Sequence, residues 1–193
     1  MASSPAPNVM VLREGDLDGS GAILRLTMDS GLIVHTVAVP QEWYSPTGPT
    51  WIYIVESDGL TLIDAGSTIS VDALDSAFRL LGLELKAVRR VVLTHGHIDH
   101  AGGAYHLVQA TGGELWAHAL YELLHDLDSW ETQYQTNPLM RLALEEPKGE
   151  GSLQTKPKPQ DHHNERSERN RRYKELRRLA SVTRNIHDEE QAG

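Results

Sequence analysis

Cysteine is absent from this chain of 193 residues, which excludes disulfides and thiolate metal sites and leaves the redox compartment open. Phenylalanine occurs once and hydrophobic residues make up 39% of the total, enough for one modest core but not for several domains. No apolar run approaches the ~20 residues that a membrane-spanning helix needs. The opening MASSPAPN lacks the charged start and apolar centre of a secretory signal. The expectation is a cytoplasmic protein without membrane contact. Basic residues are also scarce in the main body. Residues 1–150 carry 20 acidic and 8 basic side chains, whereas residues 151–193 carry 7 acidic and 10 basic ones. An acidic body repels phosphates, so a nucleic-acid partner is not expected there.

The residues present divide the chain into three parts: a flexible N-terminus over 1–20, a folded domain over 21–147, and a polar, charged tail over 148–193, disordered or loosely helical. Ala22 to Met28 and Leu32 to Val39 read as strands around the turn Asp29-Ser30-Gly31. Within the second, His35 reads as structural. The Pro-rich loop from Pro40 to Pro49 carries Trp43 and Tyr44. Trp51 to Glu56 and Leu60 to Asp64 form a hairpin through Ser57-Asp58-Gly59. Ser70 reads as a helix N-cap, Val71, Leu74, Phe78 and Leu81 as an apolar stripe, and Gly82 as a stop. Val88 to Leu93 is the next strand. Ala104 to Ala110 is a helix with His106 on its surface. Glu114 to Ala117 is a strand and Ala119 to Leu127 a helix, with His118 and His125 in principle able to reach a metal. Strands alternating with helices after an antiparallel start indicate an α/β fold.

Between the strand at 88–93 and the helix at 104–110 lies Thr94-His95-Gly96-His97-Ile98-Asp99-His100-Ala101-Gly102-Gly103. Four potential metal-binding side chains fall within six positions. Alternate residues of an extended segment point to one side, so His95 and His97 can face a single ion. Asp99 and His100 follow as the chain bends and can reach a second. Gly96, Gly102 and Gly103 permit a close backbone approach and a turn into a helix. Imidazole nitrogen and carboxylate oxygen suit zinc, and also iron or manganese.

THGHIDHAGG resembles the first metal-binding motif of the metallo-β-lactamase-fold superfamily of metal-dependent hydrolases. GPTWIYIV and LTLIDAG upstream and GGELWAH downstream resemble the same family, so the likeness covers residues 30 to 130 or so. It implies a four-layer αββα sandwich with its first half recognisable here, and two zinc ions at one edge of the sheets. It implies that a metal-activated hydroxide cleaves an ester, lactone, thioester or amide of a small-molecule substrate. His95 and His97 would bind one ion and Asp99 and His100 the other. Asp99 would also be catalytic, orienting water or passing a proton, and Asp64 would support a ligand from behind. The loop at 40–49 would flank the active-site groove.

The family takes further ligands from its second half, each after an apolar strand: a His, a bridging Asp and a last His. Beyond residue 148 no such strand is legible, and His162, His163 and the pair His187-Asp188 stand among charged neighbours. Arg169 to Leu179 reads at most as a basic helix on Tyr173, Leu176 and Leu179. The C-terminal half therefore reads as truncated or divergent. Half a sandwich would leave one face of the first sheet bare, and the chain would then be unstable, cover that face as a homodimer, or depend on a partner. Two alternatives to the enzyme remain: a catalytically inactive metal-binding fragment, and an RNA-processing protein acting through the basic tail.

Overall fold

The computed structural model describes residues 8–41, 48–123, 168, 171–180 and 182–186. They build one sheet of eight strands whose spatial order matches the chain order. The strands are β1 (Asn8–Arg13), β2 (Ile23–Thr27), β3 (Ile33–Val39), β4 (Thr50–Ser57), β5 (Gly59–Ile63), β6 (Val88–Val92), β7 (Glu114–His118) and β8 (Arg184–Ile186). β1 to β5 pair antiparallel. β5 to β8 pair parallel, and helices make the crossovers that parallel pairing requires. These helices are α1 (Ser70–Leu81), α2 (Ile98–Ala101), α3 (Ala104–Thr111), α4 (Leu120–Leu123) and α5 (171–179).

One face of the sheet holds the core. Ile23, Val37, Ile52, Ile54, Leu62, Val91 and Leu115 are essentially inaccessible there and pack with Leu74 and Phe78 of α1 and Leu107 of α3. Alternation sends Trp51 and Tyr53 of β4 to the other face, where they are 36% and 42% exposed. The described residues thus supply one sheet and one helical layer of the sandwich expected from the sequence.

α1 runs as its spacing predicts and ends at Gly82 in the left-handed conformation, φ 68°. Its start differs. Ile69 occupies the cap position, and the Ser70 hydroxyl instead accepts the Ser67 N–H at 3.0 Å. His35 is buried, with Nε2 2.6 Å from the Glu56 carboxylate across the β3–β4 ladder, the structural role expected of it.

Two expectations about the chain ends are corrected. Asn8–Arg13, assigned to a flexible N-terminus, is an edge strand. The segment is mostly apolar, and its backbone pairs with β2 although every side chain but the half-buried Leu12 is exposed. Arg184–Ile186, within a tail that reads as strandless, pairs with β7. An edge strand needs hydrogen bonds to one neighbour and no buried alternation, so composition did not reveal it. Trp43, Tyr44, His125, His162, His163, His187 and Asp188 lie outside the described residues.

Candidate metal centre

Asp64 closes β5 at φ 66°, a left-handed conformation uncommon for a residue with a side chain. Gly66 comes next but one at φ 65°, where a Cβ would lie 2.5 Å from the Ser70 side chain. These two residues turn the chain under the end of β6 and aim the buried Asp64 carboxylate back at the motif. It accepts the Thr94 N–H at 2.8 Å and lies 2.8 and 2.9 Å from Thr94 Oγ1. On its other side it lies 2.8 Å from His100 Nδ1. Asp64 thus contacts both ends of the motif.

The backbone confirms this registration. Asp64 N–H donates to the Val92 carbonyl and Ala65 N–H to that of His100, at 2.8 and 2.7 Å. Gly103 lies so close that a Cβ there would sit 2.4 Å from the Ala65 carbonyl oxygen, and one at Gly102 would sit 3.1 Å from Ser67 Cα. Both glycines let α2 lie close against the 65–67 turn. Gly96 faces Arg177 of α5, whose Nη2 would be 2.6 Å from its Cβ.

The histidines gather at the C-terminal end of β6. The His95 ring centroid is 4.6 Å from that of His97 and 4.1 Å from that of His100. His100 Nε2 is 3.5 Å from Asp99 Oδ2. All four residues singled out in the sequence are thus brought together. The rings touch one another rather than spread around a shared point. Among the described residues no three His, Asp or Glu side chains form a group that could hold an ion as they stand. The donor chemistry nevertheless fits a divalent metal: three imidazoles and a carboxylate, with Asp64 orienting His100 through Nδ1 so that Nε2 faces the cluster. Thr94 Oγ1, 3.0 Å from His95 Nδ1, gives His95 the same kind of anchor.

Electrostatics separate the two anchored rings. His100 has its pKa raised above 6.5, first by its hydrogen bond to Asp64, against the opposing effect of burial. His95 has its pKa lowered, first by the covering of its ring and then by repulsion from His100 and His97. His118 does not join the cluster through Nδ1, which accepts the Leu120 N–H at 3.1 Å. His106 stacks edge-on with Tyr105 on α3.

Sequence reasoning missed three residues at this site. Gln41 Nε2 donates to Thr50 Oγ1 at 3.1 Å and approaches Asp99 Oδ2 at 3.4 Å. Gln41 belongs to the loop expected to flank the groove, but no pattern marked it within that loop. Tyr173 donates its hydroxyl to the Gly96 carbonyl at 2.6 Å, and Arg177 Nη2 donates to the Tyr121 carbonyl at 3.0 Å. Burial, and then the neighbouring Tyr121, pushes the Tyr173 pKa up, so its phenol remains a donor.

The model of the metallo-beta-lactamase superfamily matches residues 45–190, about three quarters of the chain and well beyond the residue-130 limit of the resemblance read from the sequence. A probable metallo-hydrolase of Bacillus subtilis, YqjP, is 42% identical over 57 residues, which are 28% of this chain and 18% of that protein. MEM-A1, a subclass B3 metallo-beta-lactamase from a soil metagenome library, is 28% identical with a TM-score of 0.41, over 47% of this chain and 32% of its own. BJP-1, a subclass B3 enzyme of Bradyrhizobium japonicum, is 24% identical with a TM-score of 0.40, over 48% and 33%. The chain thus spans about a fifth of the curated relative and about a third of these two structures. With the family model running from the β4 hairpin through the histidine cluster to the tail, this chain belongs to the metallo-beta-lactamase superfamily.

Proposed function

We propose that this chain carries the metal-binding half of a hydrolase that cleaves an ester, lactone, thioester or amide bond of a small molecule. The observation that supports it most is the cluster of His95, His97 and His100 with Asp99, anchored by buried Asp64 at the end of a parallel strand. His95 and His97 would hold one ion, and Asp99 and His100 the second, zinc by donor type, with iron or manganese as alternatives. When bound, such ions bring the pKa of water toward neutrality and stabilise developing negative charge.

The chain's own groups do the rest. Asp99, whose Oδ2 Gln41 approaches at 3.4 Å, would accept a proton from the attacking water and pass it to the leaving group. Asp64 keeps Nδ1 of His100 occupied and Nε2 turned to the cluster. Trp51 and Tyr53, 36% and 42% exposed among the described residues, support a second copy of the chain over that side of β4.

The test is turnover by zinc-loaded protein of a panel containing a chromogenic β-lactam, a lactone and a thioester. Turnover that Asp99→Asn lowers by about 100-fold or more supports the reading. Zinc binding without turnover of any member would instead mark an inactive metal-binding fragment.

A further inference from the structure

The tail that reads as solvated polar sequence returns to the histidine turn. In α5 only Tyr173 and the adjoining Ala180 are buried, with Lys174, Leu176 and Arg177 half-buried and the remaining side chains exposed. The helix is held in place by the segment on its C-terminal side. Thr183 N–H donates to the Leu115 carbonyl at 2.7 Å, and its hydroxyl accepts the Leu115 N–H at 3.1 Å. Ala119 N–H then donates to the Ile186 carbonyl at 3.1 Å. β7 thus fixes the register of the segment, and α5 is laid against the motif as a consequence.

At that contact Gly96 is clamped. The Tyr173 hydroxyl donates to its carbonyl at 2.6 Å, and Arg177 Nη2 fills the space where a Cβ would stand. The Arg177 guanidinium is held in turn over the Tyr121 ring at 4.4 Å and by the Tyr121 carbonyl. Gly96 is the single residue between His95 and His97. Its carbonyl belongs to the peptide plane that leads into His97, and glycine leaves the torsions on either side freer than any other residue would. Alternation puts both imidazoles on one side only while the segment stays extended, and glycine at its centre lets it leave that conformation easily.

We infer that Tyr173 is a positioning residue for the metal-binding turn: its hydroxyl fixes the peptide between Gly96 and His97 so that His95 and His97 are presented together, with Arg177 as the backing. The inference rests on the metal-centre reading proposed above. It gives the C-terminal helix a role in metal affinity without making any of its residues a ligand.

The experiment uses the full chain, with zinc affinity measured by competition against a chromophoric chelator and apoprotein stability measured by urea unfolding. Tyr173→Phe keeps the ring and removes the donor. Leu176→Ala trims a half-buried side chain of the same helix and leaves the Tyr173 hydroxyl in place, and so reports what weaker docking alone does. The expected result is zinc binding about tenfold weaker in Tyr173→Phe, the lower end of what outer-shell partners contribute, with Leu176→Ala losing stability but keeping wild-type affinity. Wild-type zinc affinity in folded Tyr173→Phe overturns the inference alone. Equal weakening in both variants also overturns it, since helix docking rather than the hydroxyl would then matter. A wild-type chain that binds no zinc overturns the metal-centre reading and this inference with it.

Discussion

Asp64 gathers several constraints in one side chain. It is 3% exposed, sits at φ 66°, and faces three donors: the Thr94 amide, the Thr94 hydroxyl and His100 Nδ1. Asp64→Ala would leave these donors without their carboxylate; Thr94 is exposed and His100 half-buried, so water replaces part of what is lost and the cost is about 1–3 kcal/mol in all. The urea midpoint of the variant should fall accordingly. The same carboxylate holds the His100 pKa up in apoprotein, while burial holds that of His95 down. His100 is raised above 6.5 by Asp64, so its contribution to stability is full below 6.5 and lost as pH rises through the raised value. His95 is lowered, so its contribution is full above 6.5 and lost as pH falls through the lowered value. Proton NMR of the imidazoles should show the His100 midpoint above 6.5 and that of His95 below it. In Asp64→Asn the His100 midpoint should drop. Coincident midpoints in the wild type would contradict the arrangement.

Among the elements, α2 and the turn after β5 are built as one piece. Gly103 has no room for a Cβ, because the Ala65 and Ser67 carbonyl oxygens lie 2.4 and 3.0 Å from that point. Both obstacles are backbone, so Gly103→Ala must push α2 away from the 65–67 turn, at about 1–3 kcal/mol as for other overpacked sites. Gly112→Ala is the comparison: φ is 71° and nothing lies within 4 Å, so only backbone strain opposes it. Urea unfolding should rank Gly103→Ala as the more damaging. What the sequence revealed divides along the same line. The motif and its Asp64 were legible because their residues stand in short contiguous patterns, THGHIDHAGG and LIDAG. α1 was legible from its apolar period and from Gly82. The cap of α1 was not, since a serine at the first helical position and one at the cap look alike in sequence. Gln41, Tyr173 and Arg177 were not legible either. They reach the site from far along the chain, and nothing in their local sequence announces a partner.

For the whole molecule, the decisive feature is that the sheet continues into the tail. Residues 168–186 read as solvated because their charge is high, yet a helix needs only Tyr173, Leu176 and Ala180 on one side to dock. Composition averages over both sides of such a helix and hides the stripe. No helix among the described residues is long and apolar enough to cross a membrane. The proposed second copy over Trp51 and Tyr53 is open to sedimentation analysis. Trp51→Ser with Tyr53→Ser should shift the chain from dimer to monomer, and an unchanged molecular mass would remove the proposal.

The central claim, that His95, His97, Asp99 and His100 form a metal centre, is tested most directly by zinc uptake of the purified chain against His97→Ala. The account predicts that the wild type retains zinc through dialysis, as judged by elemental analysis, and that His97→Ala retains far less while keeping its fold by circular dichroism. Equal zinc content in the two proteins would contradict it.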